Sequence, residues 1–90
     1  MAAVASAVFA DSAFKHGYAE EDFYELLVGR YLKDRSRRGF EAVYELLGRN
    51  FAGDYLHVVY RILPDGCVRV FHMARMTDTQ KRLYQRRLHR

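Results

Sequence analysis

The stretch YLHVVYRILPDGCVRVFHM, residues 55–73, constrains the fold more than any other part of the chain. Leu56, Val58, Tyr60 and Ile62 alternate with Tyr55, His57, Val59, Arg61 and Leu63, the period of two expected of a strand with distinct faces. Pro64-Asp65-Gly66 is a turn sequence, and residues 67–73 resume extended spacing. The stretch therefore predicts a β-hairpin.

Helical signals lie on both sides of it. Asp11 is placed to cap a short helix over Ser12–His16, which Gly17 ends in the left-handed conformation. A second helix is expected over Ala19–Val28, with Glu20, Glu21 and Asp22 in the first turn, where the helix dipole favours them, and Gly29 at its end. Phe23, Leu26 and Leu27 form its apolar stripe. Thr77 and Gln80 form a capping box for a last helix with Leu83, Tyr84 and Leu88 inward and Lys81, Arg82, Arg86 and Arg90 outward. Residues 30–36 read as a polar edge strand. Residues 40–48 fit two patterns: Phe40, Val43, Tyr44 and Leu47 have helical spacing, while Val43, Tyr44, Leu46 and Leu47 suit a strand buried on both faces. The expected architecture is α+β: two N-terminal helices, an antiparallel sheet of about four strands covered on one face, and a C-terminal helix.

The chain has 90 residues, enough for a single domain (1–90) with one small core. Half of the residues are hydrophobic, and seven Tyr and six Phe argue against a disordered tail. A single cysteine, Cys67, excludes a disulfide scaffold and reads as a packed strand residue. No apolar run approaches the ~20 residues of a membrane-spanning helix. The N-terminus, MAAVASAVFADSAF, carries no basic residue before its apolar part and does not read as a secretory signal. A cytoplasmic protein with no membrane partner is expected.

The net charge of +4 is unevenly distributed. Residues 1–29 hold one base, Lys15, against five acids. Arg30, Lys33, Arg35, Arg37 and Arg38 make residues 30–39 basic, and seven bases against Asp78 make residues 67–90 more so. Twelve of the fifteen bases are arginine, which suits bidentate contacts to phosphate. Such blocks favour nucleic acid or an acidic protein partner over a merely solvated surface.

No phosphate-binding glycine loop is present, and no Cys/His pairs have metal-ligand spacing, so neither a metal nor another cofactor is expected. The Lys, Arg, His and Tyr side chains that remain suit metal-independent RNA cleavage. Attack by the RNA's own 2′-hydroxyl needs a base, a cation on the pentavalent phosphorane and an acid for the leaving oxygen. Lys15-His16-Gly17 places two such groups at the end of a short helix. His57 and Arg61 share a strand face, and His72 lies on the partner strand.

The runs DSAFKHGYAEEDFYELL, YELLGRNFAGDYLHVVYRI and VRVFHMARMTDTQKRLYQRR resemble, in order and spacing, the BrnT family of type II toxins over roughly residues 8–87. The resemblance implies a RelE-like fold, ribonuclease activity that inhibits translation, and a cognate antitoxin protein through which operator DNA would be bound. It also implies that residues 40–48 form a strand. By motif position Lys15 and His16 match the family's KHG, Arg49 the arginine after the glycine, and Tyr84 the helix tyrosine. Aligned on Met76-Thr77, the family's arginine falls on Ala74, with Arg75 one place late. Lys15, His16, Arg49, His72, Arg75 and Tyr84 are thus the candidate catalytic residues. Arg35, Arg37, Arg38, Arg82 and Arg86 are assigned to RNA binding, because they lie in a polar segment and on an exposed helix face. The competing reading is a module of the same fold that binds RNA or an antitoxin without cutting.

Overall fold

The computed structural model describes residues 7–35 and 42–88. Its elements are β1 (Ala7–Phe9), a 3-10 turn (Asp11–Phe14), α1 (Glu20–Val28), β2 (Leu32–Arg35), β3 (Val43–Arg49), β4 (Tyr55–Ile62), β5 (Val68–Arg75) and α2 (Asp78–Leu88). The chain is α+β, with five strands in the order β1-β5-β4-β3-β2. The hairpin closes as expected: Leu63 N–H donates to the Cys67 carbonyl at 2.7 Å, and Gly66 takes φ +89°. Cys67 belongs to this turn and not to the strand, its N–H donating to Asp65 Oδ1 at 3.0 Å.

Residues 43–49 are a strand. The helical spacing is a coincidence of burial on both faces. By register Tyr44 and Leu46 face the main core, while Val43 and Leu47 face the other side.

Three expectations need correction. The sheet is mixed, because β1 pairs in parallel with β5 (Ala7 with Val68, Phe9 with Val70). A three-residue strand is too short to show a period, and its partner lies some sixty residues away. Only one α-helix precedes the sheet's long strands; the segment after Asp11 forms one 3-10 turn. Asp11 sits within that turn, preceded by Ala10, which makes no side-chain cap. Finally, both faces are covered at least in part. Ala13, Phe23 and Leu26 pack with Leu46, Leu56, Val58, Tyr60, Val68, Val70 and Met73 in the main core. Tyr84 of α2 packs against Tyr55, whose register parity is opposite to that of Leu56.

Both α-helices start on side-chain bonds. Thr77 and Gln80 make the capping box in both directions, at 2.9 and 3.1 Å. Ala19 has no capping side chain, but its own N–H donates to Asp22 Oδ2 at 2.8 Å. The other Asp22 oxygen accepts from Asn50 Nδ2 at 2.9 Å, and Glu25 accepts from the Phe51 N–H at 2.9 Å. Asp22 and Glu25, one turn apart on α1, thus fasten the helix to the β3–β4 turn.

Gly48 sets the closeness of that contact. A Cβ there would lie 2.7 Å from Leu26 Cγ and 3.1 Å from Tyr31 Cβ. Gly48→Ala must displace the Leu26 side chain from the main core, and such overpacking costs about 1–3 kcal/mol. For a domain of this size each kcal/mol lowers the melting temperature by roughly 4–8 °C. Thermal unfolding should therefore shift down by at least that amount, and an unchanged melting temperature would contradict the packing.

Candidate active site

Three histidines from different segments meet beside the second face of the sheet. The His57 and His72 rings stand edge to face with centroids 5.3 Å apart, and the His72 and His16 rings do the same at 5.6 Å. His57 Nε2–H donates to Glu45 Oε1 at 2.7 Å. The row Glu45–His57–His72–His16 therefore crosses β3, β4, β5 and the segment beyond the 3-10 turn. It is graded in exposure: the His57 side chain is only 14% accessible, Glu45 33%, and His16 is exposed.

Backbone register places each member. On β4 the residues opposite in parity to Leu56, Val58 and Tyr60 include His57 and Val59. On β5 uninterrupted alternation would put His72 on the same side as Val68 and Val70, in the core. The register instead shifts between Val59 and Tyr60: Val59 pairs with His72, Tyr60 with Val70, and Phe71 is the extra residue. Beyond it the parity is reversed, so Met73 enters the core and His72 faces out beside His57.

The N-terminal segment is docked at the same place. Ala10 N–H donates to the Val70 carbonyl at 2.9 Å, and the Ser12 hydroxyl to the Phe71 carbonyl at 2.8 Å. The 3-10 turn thus lies along the edge of β5 past the end of β1, and His16 reaches His72. Gly17, at φ +88°, turns the chain away as expected, toward Tyr18, whose hydroxyl donates to Asp54 Oδ2 at 3.2 Å.

The other candidates lie elsewhere. Exposed Lys15 adjoins His16 in sequence. Arg75 pairs with Leu56, so its parity is opposite to that of the histidines, and it lines a hollow with Gly53, Asp54 and Met76. The residue opposite His57 is Ala74. Arg49 lies over the Tyr55 ring at 4.7 Å and donates to the Gly53 carbonyl. Tyr84 is buried and donates to the Arg30 carbonyl at 2.9 Å. Neither lies in the histidine row; the two line another hollow, with Arg30, Asn50 and Phe51. Arg35 pairs with Tyr44 at the end of β2 and lines a hollow with Glu45, Leu47, Gln80 and Leu83. Arg82 and Arg86 are exposed on the part of α2 turned away from Tyr84. Arg37 and Arg38 lie outside the described residues. Lys81 is exposed, as expected, and its ammonium stands 4.5 Å from the centre of the Tyr55 ring.

Sequence reasoning assigned no role to Glu45 or to the Glu45–His57 bond. Alternation alone puts Glu45 and His57 away from the core, but their meeting depends on the β3–β4 register.

Burial raises the pKa values of three tyrosines. For Tyr18 the opposing influence is the Arg75 guanidinium, for Tyr60 it is Lys33, and for Tyr84 it is Arg49. Among the described residues no group of three His, Cys, Asp or Glu side chains is placed to hold a metal ion. No family model, curated protein or solved structure matches the chain.

Two predictions follow from this geometry. Ser12→Ala removes the bond to the Phe71 carbonyl and should cost about 0.5–1.5 kcal/mol. It should also move the His16 and His72 ring resonances in NMR spectra; unchanged resonances would separate Ser12 from the site. The tyrosines predict alkaline destabilisation. Below about pH 10, where unfolded tyrosine titrates, stability is fully present. As pH rises through the higher folded values the unfolded chain releases protons first, so stability is lost. The melting temperature should fall across that window, and Tyr60→Phe or Tyr84→Phe should flatten the fall.

Proposed function

We propose that the chain is a ribonuclease toxin of a type II toxin–antitoxin system that cleaves RNA without a metal ion and so inhibits translation and growth. The RelE-like arrangement, the RNA substrate and the cognate antitoxin are part of the same reading, as the BrnT-like motif order implies. The observation that carries it is the contact of His72 with His16 on one side and with the Glu45-bound His57 on the other.

The chemistry requires two proton-transfer groups and a cation around one phosphate. A neutral imidazole takes the proton from the 2′-hydroxyl, and the oxygen attacks phosphorus. The P–O5′ bond breaks, and a protonated imidazole delivers its proton to the leaving oxygen. The products are a 2′,3′-cyclic phosphate and a 5′-hydroxyl. Histidine suits both roles because its ordinary pKa lies near neutrality. His16 and His72 take these roles in the proposal, and Lys15 supplies positive charge to the phosphorane. Glu45 is a positioning residue: by accepting from Nε2–H it selects one tautomer of His57, which packs against His72.

A specific observation also favours the second reading, a non-cleaving RNA- or antitoxin-binding module. Ala74 stands opposite His57, where the family pattern leads one to expect arginine, and Arg75 has the other parity.

One experiment separates them. Purified protein incubated with RNA in excess EDTA should yield fragments ending in 2′,3′-cyclic phosphate. His16→Ala or His72→Ala should lower the single-turnover rate at saturating RNA by about 10²–10⁴. Activity lost to chelation and restored by Mg²⁺ would overturn the mechanism. RNA bound tightly but left intact would establish the binding module instead.

A further inference from the structure

On the face that carries the histidine row, β4 and β5 place two arginines directly opposite each other. Arg61 and Arg69 are cross-strand partners, and both are exposed. Their flanking partners in the same row are Val43 on β3 and Val8 on β1, so no carboxylate stands in register with them. Like charges directly opposite on a sheet repel, and among the described residues neither arginine gains an ion pair in return.

Its location suggests the use. Arg61 follows Val59, the partner of His72, by two residues, a rise of about 6.6 Å along the strand. The side chains of Arg61, Val59 and His57 share one parity, so Arg61 lies on the face of the imidazoles, with Val59 between it and His57. Position 74 supplies no cation there, and Arg75 faces away. Two guanidinium groups side by side, each with a planar fork of donors, match a phosphodiester oxygen pair.

We propose that Arg61 and Arg69 form a phosphate-binding subsite for single-stranded RNA, holding a phosphate next to the one that the histidine row addresses. The proposal rests on the ribonuclease reading for the identity of its ligand. It implies that the substrate extends past the scissile bond toward the Pro64 turn, and that short substrates lacking the neighbouring phosphate bind poorly.

The test uses a strand that binds without being cut: a 2′-O-methylated RNA of about ten nucleotides, within the length a small basic surface engages. Affinity is measured against salt for the wild type, Arg61→Gln, Arg69→Gln and the double variant. Lys33→Gln, a loss of one positive charge on the α1 side of the sheet, is the control. The double variant should bind roughly tenfold more weakly or worse. Its slope of log K against log salt should be shallower by about 0.7, the release expected for one single-strand phosphate. Lys33→Gln should stay within about twofold of the wild type, as expected for a charge that meets no phosphate.

Unchanged affinity and slope in the double variant would overturn the subsite, as would an equal loss in Lys33→Gln, which would mark a non-specific effect of net charge. Parallel incubation of the wild type with unmodified RNA keeps the two readings apart. Cleavage with no effect of the double variant leaves the nuclease and removes the subsite. A large effect without cleavage leaves the subsite and removes the nuclease. A wild type that ignores RNA but binds poly-glutamate overturns the subsite as an RNA site and marks the face as one for an acidic protein segment.

Discussion

The extra residue at Phe71 is the constraint on which the arrangement of side chains depends. A strand with Val68, Val70 and His72 on one side would bury the imidazole and expel Met73. Inserting one residue reverses the parity, so the core keeps its large apolar side chain and the histidine turns to the open face. The Val70 and Phe71 carbonyls take partners from the N-terminal segment, through Ala10 N–H and the Ser12 hydroxyl. The same bonds hold the chain that leads to His16, whose ring meets that of His72 edge to face. The row thus needs both the register shift, which turns His72 outward, and the docking of the N-terminal segment on β5.

Its consequence is a row of ionisable rings with different surroundings. His57 is largely enclosed and held by Glu45, whereas His16 is open to solvent. Proton-transfer partners are useful when one is fixed and another is reachable, since the substrate must bring its own atoms between them. Of the two helices, α2 reaches the Glu45 end of the row, where Gln80 and Leu83 line a hollow with Glu45 and Leu47. α1 is fastened to the β3–β4 turn by Asp22 and Glu25 on the far side of the sheet. α2 is anchored at one end of the near side by Tyr84 and by Lys81 over Tyr55.

How much of this was legible in the sequence follows from the range of each signal. The hairpin, α1, α2 and the Thr77–Gln80 capping box are encoded within a few residues, and they lie where the pattern puts them. β1 is encoded by a partner some sixty residues away and leaves no local trace. The segment from Asp11 has the turn residues of a helix but only Ala13 to bury, so it stops after one 3-10 turn. His16 and His72 were legible as candidate residue types, though not as neighbours. Glu45 and His57 needed the β3–β4 register. Arg49 and Tyr84 lie far apart in the chain, and only the fold brings both to one hollow, Arg49 over an aromatic ring and Tyr84 on a backbone carbonyl.

The position of positive charge is the last step. On the proposed reading, a phosphate at the histidine row meets the methyl group of Ala74, because Arg75 has the parity opposite to that of His72. The two cannot be exchanged without a second register shift, because residues 72 and 75 have opposite parity on a regular strand. Cations for this face must therefore come from outside the 73–76 segment. β4 and β5 provide them one pair-step further along, at Arg61 and Arg69, and the 3-10 segment provides Lys15. Repulsion between two exposed guanidinium groups is modest in water, where the dielectric constant is high, and it becomes attraction to a shared anion once one binds. The like-charged pair thus costs the free protein little and favours the bound state. On the proposed reading, its placement two residues beyond Val59, the partner of His72, favours an extended, multiply charged strand over a single small anion.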